Sequence, residues 1–259
     1  LCDDAMQIRG GRGYETAPSL ASRGEPAIPL ERVMRDARIN RIFEGSNQVM
    51  RLFIAREALD VHLKVAGDVV MPNVPLGKRL SGLVRSGLFY AGWYPGRWLG
   101  WGHWPQYGEF GPLAGHLQWV ERTSRRLARQ LLHLMVLNGP ALEKKQGLLF
   151  RAVDVGAELF AMTATIVRAQ RDVKRGIGSG TPYDVADTFC RASRRRVETL
   201  FAGIASNDDA YNYGTARAML EGRYTWLEEG VVAAPTEAAK SKSETAAKLE
   251  PPRTVKVAS

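Results

Sequence analysis

The spacing of hydrophobic residues predicts helices along most of this chain. Apolar side chains recur three or four positions apart, which is the repeat that places them on one face of a helix. Ser46 is a good N-cap residue, and the helix that follows it is expected to run to about residue 62. The predicted apolar face of this helix contains Val49, Leu52, Phe53, Arg56, Leu59 and Leu63. The expected fold class is all-α, with helices packed into bundles.

Two shorter helices are predicted before this one. Residues 1–9 match the last turns of a helix that Gly10 and Gly11 close, because glycine readily takes the left-handed conformation at a helix C-terminus. Residues 30–38 match the second helix. The segment between them, residues 14–29, is rich in Ala, Pro, Ser, Gly and charged residues and is expected to be a loop.

Four more helices are predicted in the second half of the chain, over residues 115–138, 143–174, 181–204 and 208–223. The stripe expected to pack in the first of them contains Leu117, Val120, Leu127, Leu131 and Leu134. The stripe expected in the second contains Leu149, Val153, Ala157, Phe160, Ala161 and Ala164. The third is expected to begin with Thr181 as N-cap and Pro182 as its first residue. Its core-facing residues are expected to be Phe189, Val197, Leu200, Phe201 and Ile204.

Residues 78–107 differ in composition from the rest. They contain eight aromatic residues, four basic residues and no acidic residue, and four of the six tryptophans of the chain fall here. Six glycines in the same segment argue against one continuous helix. Aromatic and basic residues together are typical of a membrane interface, although tryptophans and glycines also build a close-packed strap across helices. The sequence leaves both interpretations open.

The composition indicates four regions. Residues 1–70 form a first helical region, and residues 71–110 contain a proline-bearing linker and the aromatic and basic segment. Residues 111–230 are expected to form an additional helical domain. Residues 231–259 have almost no large apolar side chains and are expected to be a disordered tail.

Charge and cysteine content narrow the possible functions. The formal net charge of +9 suits nucleic acid, anionic lipid or a polyanionic small molecule. Because the basic residues are interleaved through helical patterns without a recognised motif, nucleic acid is not an expected partner. Two cysteines at unrelated positions suit a reducing compartment and give no expectation of a metal site.

The ends and the hydropathy of the chain suggest its context. The sequence shows no signal segment and no run of eighteen apolar residues. We expect a cytoplasmic protein, or one held peripherally on the inner face of a membrane. Leu1 opens in the middle of a pattern, which indicates a piece of a longer protein.

Glu44 is the strongest candidate for catalytic chemistry. It follows Ile42 and Phe43, whose burial would raise the pKa of a nearby carboxylate, and it precedes Gly45, where a substrate can approach the backbone closely. These properties suit a general base that works near neutral pH. A glutamate at this position is also consistent with an acidic group that stabilises a helix N-terminus.

Three motifs in order resemble the C-terminal part of the acyl-CoA dehydrogenase family. They are Gln-Ile-Arg-Gly-Gly-Arg-Gly at residues 7–13, Arg-Asp-Ala-Arg-Ile at residues 35–39 and Glu-Gly-Ser at residues 44–46. The spacing from the first motif to the third is about ten residues longer than in shorter family members. The rest of the chain resembles the extra C-terminal helical domain of the very-long-chain branch.

The resemblance implies a reaction. In this family a glutamate at the position of Glu44 removes the α-proton of an acyl-CoA thioester while a hydride leaves the β-carbon for FAD, which gives a trans-2-enoyl-CoA in fatty acid β-oxidation. The backbone N–H of the same residue helps to stabilise the enolate that develops. The 259 residues alone are expected to be inactive, because the family's N-terminal helical domain and middle β-domain do not match any part of them.

The resemblance also implies binding residues. Those matched to FAD contacts are Gln7, Ile8, Arg9, Gly10, Gly11, Ser46, Asn47 and Gln48. Gly45 is matched to the acyl channel and Arg56 to the coenzyme A portion. Gly10 and Gly11 are equally consistent with a helix end, and Arg56 with a structural ion pair.

The resemblance implies partners as well. The substrate is an acyl-CoA, the assembly is a homodimer or a higher homo-oligomer in which a neighbouring subunit supplies part of the FAD site, and the electron acceptor is an electron-transfer flavoprotein. Two alternatives remain open. One alternative to a dehydrogenase is an oxidase that passes electrons to oxygen. The other is a helical module that mainly docks a membrane or a partner through residues 78–107.

Overall fold

The computed structural model describes residues 2–43, 45–70, 74–100 and 105–228. All regular structure in these residues is helical, which confirms the predicted all-α class. The α-helices of this part of the chain, in order, are α1 (Cys2–Arg9), α2 (Gly11–Tyr14), α3 (Ala17–Ser22), α4 (Leu30–Ile39), α5 (Asn47–Val70), α6 (Leu76–Leu99), α7 (Ala114–Asn138), α8 (Gln146–Lys174), α9 (Thr181–Ala205) and α10 (Asp209–Leu220).

The first helices turn sharply against one another. Gly10 has a φ of 58° and separates α1 from α2, and α4 packs on both. Gly13 lies so close to α1 that an added Cβ would be 2.5 Å from the carbonyl oxygen of Met6. The loop predicted for residues 14–29 in fact contains α3, because the Thr16 hydroxyl accepts a hydrogen bond from the Ser19 N–H and starts a helix.

The helices α5 and α6 pack side by side over most of their length. An added Cβ at Gly82 would lie 3.0 Å from Cβ of Asp68, and the Ser86 hydroxyl donates to the Val65 carbonyl at 2.9 Å. These small residues let the two backbones approach closely. The prediction that glycines interrupt residues 78–107 is therefore wrong for Leu76–Leu99, which is one helix, because packing on α5 offsets their low helix propensity.

The buried face of α5 differs from the predicted one. The residues that point into the core are Leu52, Ala55, Leu59, His62 and Ala66. Phe53 is 56% exposed and Arg56 is exposed as well, so the predicted stripe was correct only at Leu52 and Leu59. Two alanines and a histidine carry little hydrophobic signal, which is why the periodicity placed this face incorrectly.

The core is built around α8, which packs against α5, α7 and α9. The predicted stripe of α7 is confirmed, with Leu117, Leu131 and Leu134 buried. In α8 the prediction was wrong at Ala157, Phe160 and Ala164, which are exposed. The buried residues of this helix are Leu149, Ala152, Val153, Val155, Leu159, Met162, Ile166, Ala169 and Gln170.

Helix ends also differ from the predicted positions, and α5 runs to Val70 rather than to about residue 62. A 3-10 turn over Gly139–Lys144 precedes α8, so that helix begins later than predicted. In α9, Gly180 with a φ of 94° is the N-cap, and Thr181 is already helical. The predicted core-facing residues of α9 are half-buried or buried, and Val197, Phe201 and Ile204 are fully enclosed.

The described residues fall into two compact units, one that ends at residue 207 and one that begins at residue 208. The described part of the second unit contains α10, which was predicted, and a 3-10 turn at Thr225–Glu228. Among the residues that the structure covers, no helix has the length and apolar character needed to cross a bilayer.

Candidate functional site

An open cleft borders the turn between α1 and α2. It has a volume of about 470 Å³ and is lined by Asp3, Met6, Gln7, Gly10, Gly11 and Tyr14. An added Cβ at Gly10 or Gly11 would meet nothing within 4 Å, so the backbone is accessible there. The structure thus brings Gln7, Gly10 and Gly11 together at one concave surface. Ile8 is 86% exposed and does not line this cleft.

A second cleft of about 380 Å³ borders the same turn. Arg9 and Gly11 line it together with the charged residues Arg12, Glu15, Arg23 and Glu25. The Arg12 guanidinium donates to Glu25 at 2.6 Å, and that of Arg23 donates to Glu15 at 2.5 Å. The hydrogen bond from Arg23 lowers the pKa of Glu15. These four residues were not predicted, although the alternating charges of residues 12–25 were a readable signal.

The second predicted group lies where α4 turns into α5. Glu44 is outside the described residues. Gly45 has a φ of 114°, a conformation that favours glycine, and an added Cβ there would lie 3.0 Å from the Met50 sulfur. The Asn47 N–H donates to the Arg41 carbonyl at 3.3 Å and closes this turn. The backbone before α5 is therefore held in a compact loop that only glycine fits at position 45.

The surroundings of this turn differ from the expectation in one respect. Ile42 is 62% exposed and Phe43 is 68% exposed. The prediction that these residues are buried is wrong within this chain, because no described helix covers them. Any burial of this turn has to come from groups outside the described residues.

The other residues predicted to contact FAD lie at the N-terminal end of α5. Ser46 and Asn47 are half-buried, and Gln48 is exposed. Arg56 is exposed more than two turns further along. No hydrogen bond or ion pair within the described ranges joins this group to the cleft at Gly10 and Gly11, so the structure presents two separate parts of a site.

Arg51 has a role that the sequence did not indicate. Its guanidinium donates to both carboxylate oxygens of Asp154, at 2.9 and 3.1 Å, and lies 5.6 Å from the centre of the Phe150 ring. This contact fixes the start of α5 against α8 and therefore fixes the end of the turn at Gly45. The partners are 103 positions apart, so no local pattern could have identified them.

The comparison with protein families gives a direct result for this part of the chain. Residues 1–59 match the family model described as acyl-CoA dehydrogenase, C-terminal domain. These residues include both candidate groups, the glycine turn after α1 and the turn before α5.

Individual relatives extend the match beyond residue 59. The chain is 50% identical over 232 residues to the Mycobacterium tuberculosis protein named "Probable acyl-CoA dehydrogenase FadE10", which covers 89% of this chain and 36% of that protein. It is 28% identical over 226 residues to the human mitochondrial very long-chain specific acyl-CoA dehydrogenase, covering 80% of this chain and 30% of that protein. The predicted relationship to the acyl-CoA dehydrogenase family, and to its very-long-chain branch, is confirmed.

The chain thus spans about a third of the length of these relatives. Among solved structures, it is similar to an acyl-CoA dehydrogenase complexed with FAD from Bacillus anthracis. The TM-score is 0.48 at 22% sequence identity, over 95% of this chain and 36% of that one.

Proposed function

We propose that the protein containing this chain is an FAD-dependent acyl-CoA dehydrogenase that converts acyl-CoA thioesters to trans-2-enoyl-CoA. The observation that carries this proposal is the 50% identity to FadE10 over 232 residues. The family match over residues 1–59, which contain the three ordered motifs, supports it. The described geometry is compatible with it, because the backbone is accessible at Gly10 and Gly11 and because Gly45 takes a conformation that favours glycine.

The residues at the first turn fit part of a dinucleotide cofactor. Gly10 and Gly11 have open space where a Cβ would stand, which allows a pyrophosphate to reach the backbone N–H groups. Gln7 and its neighbours at the cleft of about 470 Å³ are proposed to hold one portion of FAD only. The remaining contacts come from Ser46, Asn47 and Gln48 of another subunit and from other parts of the protein.

Glu44 is proposed as the base that removes the α-proton of the substrate. FAD, when bound, accepts the hydride from the β-carbon. Gly45, whose positive φ favours glycine, is proposed to line the acyl channel, and the N–H of Glu44 is proposed to donate to the thioester oxygen as negative charge develops there. Arg56 lies exposed on α5 and is proposed to bind a phosphate of coenzyme A.

The test of this proposal is Glu44→Gln in the full-length protein. The amide keeps the size of the side chain but removes the base, so we expect normal FAD content and no bleaching of the flavin absorbance when acyl-CoA is added anaerobically. Glu57→Gln is the matched control, because Glu57 is an exposed glutamate of α5 and should leave bleaching unchanged. Normal bleaching in the Glu44 variant would refute the assignment of the base.

The acceptor, the substrate length and the need for the rest of the protein are tested separately. A panel of acyl-CoA chain lengths, assayed with electron-transfer flavoprotein or with oxygen as the only acceptor, is expected to give turnover with the flavoprotein. Fast turnover with oxygen alone would indicate an oxidase. The 259 residues expressed alone are expected to bind no FAD, and the flavin absorbance of the purified chain measures this.

A second candidate function, membrane docking, rests on the outward face of α6. The exposed apolar residues of this helix are Leu76, Leu80, Leu83, Val84, Leu88, Trp98 and Leu99. Lys78 lies on the same helix, which has no acidic residue, and Arg85 is paired with Asp68 of α5 at 2.8 Å. An apolar face flanked by cations is what a helix in the headgroup region of an anionic membrane requires.

The opposite face of α6 is the strap that the sequence also suggested. Tyr90, Trp93 and Tyr94 pack against the core, so substitution of these residues would unfold the protein rather than test lipid contact. Leu80→Gln combined with Leu88→Gln is a better test, with the exposed Val185→Gln of α9 as control. We expect the control variant to co-sediment with vesicles that contain phosphatidylglycerol, and we expect the double variant not to do so. Unchanged sedimentation would exclude this face as a membrane contact.

A further inference from the structure

Four charged residues beside the turn after α1 form one continuous chain of ion pairs. Arg12 pairs with Glu25 at 2.6 Å, and Glu25 lies 3.7 Å from Arg23. Arg23 in turn pairs with Glu15 at 2.5 Å. Positive and negative charges therefore alternate between α2 and the segment that ends α3. We call Arg12, Glu15, Arg23 and Glu25 the clasp.

The clasp holds both ends of α2. Arg12 is the second residue of this four-residue helix, and Glu15 is its C-cap. Their partners are Arg23, which is the C-cap of α3, and Glu25 two positions later. A helix of one turn is not stable in water by itself, because it fixes several backbone angles for few hydrogen bonds. The conformation of α2 therefore depends on its contacts with other segments.

The segment to which α2 is tied is itself anchored. Leu20 of α3 is fully buried, and its carbonyl oxygen accepts from the N–H groups of Arg23 and Glu25, each at 3.1 Å. The Ser19 hydroxyl donates to the second carboxylate oxygen of Glu15 at 2.8 Å. The hydrogen bond from Arg23, followed by that from Ser19, lowers the pKa of Glu15, so this carboxylate stays charged at neutral pH.

The clasp begins one residue after the glycine turn. Gly11 directly precedes Arg12, and it lines both the cleft that the clasp borders and the cleft at Gly10. Neither glycine has a side chain that could anchor the turn, and glycine is the most flexible residue in the backbone. The Gly13 N–H donates to the Gly10 carbonyl at 2.9 Å and joins the turn to α2. A shift of α2 therefore shifts the backbone of the turn.

The paired arginines are poorly placed to bind a phosphate themselves. Glu25 and Glu15 already offset the charges of Arg12 and Arg23. The two carboxylates would also repel a phosphate in the cleft that they line. The geometry therefore suits a role in which these side chains fix the backbone and do not touch the ligand.

We propose that the clasp positions the turn at Gly10 and Gly11 for the pyrophosphate of FAD. This inference rests on the proposed function and adds residues that act through the turn. A flexible turn loses conformational freedom when it binds a ligand, and a turn that is already held in place loses less. The clasp residues are thus positioning residues, and FAD binds more tightly because they are paired.

The variant Glu25→Gln in the full-length protein separates positioning from direct binding. FAD is removed and then titrated back, and flavin fluorescence gives the dissociation constant. We expect the affinity to fall about fivefold, the upper range for loss of an exposed ion pair. If Arg12 bound the phosphate directly, removal of the competing carboxylate would strengthen binding instead.

Substitutions of Arg12 give a second measurement. Arg12→Gln removes the cation that pairs with Glu25 and should weaken FAD binding to a similar extent. Arg12→Lys keeps a cation that can pair with the same carboxylate, so it should retain most of the affinity. Circular dichroism of each variant at the assay temperature shows that the protein is folded.

Glu31→Gln is the matched control. Glu31 pairs with Arg35 at 2.9 Å, so this variant also loses one ion pair of a glutamate. Both residues lie on α4, and their pair joins no second segment to the turn. The affinity of this variant for FAD should equal that of the wild type.

Each outcome decides the inference. Weaker FAD binding in the Glu25→Gln and Arg12→Gln variants, with near-normal binding in the Arg12→Lys and Glu31→Gln variants, supports it. Unchanged or tighter binding in the Glu25→Gln variant would overturn it and leave the proposed function intact. Equal losses in the Glu25→Gln and Glu31→Gln variants, or in the two Arg12 variants, would also overturn it. Absence of FAD binding by the wild-type protein would refute the proposed function and this inference together.

Discussion

His62 is a buried imidazole at the contact between α5 and α6, 4% exposed. Its Nδ1 lies 2.9 Å from the Tyr90 hydroxyl, and the Trp93 ring packs edge-on against it at 4.9 Å. Burial lowers the pKa of His62 below its ordinary value of about 6.5. The folded protein therefore keeps this imidazole neutral at pH values where the unfolded chain begins to protonate it.

This difference in pKa predicts a pH dependence of stability. Above about pH 6.5 the imidazole is neutral in both the folded and the unfolded chain. The contribution of His62 to the free energy of unfolding should therefore not depend on pH in this range. Below that value the unfolded chain binds a proton that the folded chain does not bind, so stability should fall by up to about 1.4 kcal/mol per pH unit until the folded pKa is passed. Urea unfolding of the wild type and of His62→Gln between pH 7 and pH 5, about two units, measures this. An unchanged slope in the variant would contradict the prediction.

Gly87 lies within α6 and Gly100 caps the C-terminal end of that helix, and the two should respond oppositely to alanine. Gly100 ends α6 with a φ of 70°, and an added Cβ would overlap the Arg125 guanidinium. We expect Gly100→Ala to lower the free energy of unfolding by about 1 kcal/mol or more, because L residues are strained in that conformation. Gly87 is exposed and helical with open space around it, so Gly87→Ala should raise stability by about 0.5–1 kcal/mol.

Thermal unfolding of the two glycine variants checks this pair of predictions. The melting temperature should fall for Gly100→Ala and rise for Gly87→Ala. The sequence identified neither effect, since both residues belong to the same glycine-rich segment. Only the backbone angle of Gly100 and its contact with α7 separate them.

At the level of helices, the ion pair between Arg51 of α5 and Asp154 of α8 should be energetically significant. Each side chain is about one-third exposed, and the two hydrogen bonds are bidentate. A double-mutant cycle with Arg51→Met and Asp154→Asn should give a coupling energy of about 1 kcal/mol. The exposed pair Arg32 and Asp36, at 3.8 Å on α4, is the control and should give about 0.3 kcal/mol or less. Equal coupling energies for the two ion pairs would contradict the conclusion that Arg51 fixes the start of α5 against α8.

The helix pairings show how far local patterns extend. The existence and approximate ends of α4, α7, α8, α9 and α10 were predictable, because their apolar repeats and flanking glycines or prolines are local. The buried face of α5 was not, since it is defined by Ala55, His62 and Ala66 packing on other helices. Exposed Phe160 was mistaken for a core residue for the same reason.

For the whole molecule, the exposed apolar residues of α5 predict a covering surface in the full-length assembly. Val49, Met50, Phe53 and Ile54 are each about half exposed at the start of this helix, beside the proposed site. A contiguous apolar surface of this kind marks an interface. We propose that the rest of the protein and a second subunit cover it, as the predicted homo-oligomer requires.

Oxidation of methionine tests this proposal. Met50 is 46% exposed in this chain, and Met219 of α10 is 51% exposed. Peroxide should oxidise Met50 several times more slowly in the full-length protein with FAD than in the 259 residues alone, because only a covered sulfur is protected. Met219 is the internal comparison, and mass spectrometry of peptides gives both rates. Equal rates at Met50 in the two forms would contradict the proposed covering.

The sequence by itself determined the helical class, the family relationship and the candidate residues, including Glu44, because these depend on local spacing and on ordered motifs. All of the site assignments stay predictions, namely Glu44, Gln7, Ile8, Arg9, Gly10, Gly11, Ser46, Asn47, Gln48, Gly45 and Arg56. Only the tertiary structure decided which faces are buried and how Arg51 fixes the start of α5. The physical reason is that these contacts join residues up to 103 positions apart, and no local pattern encodes which helix faces another.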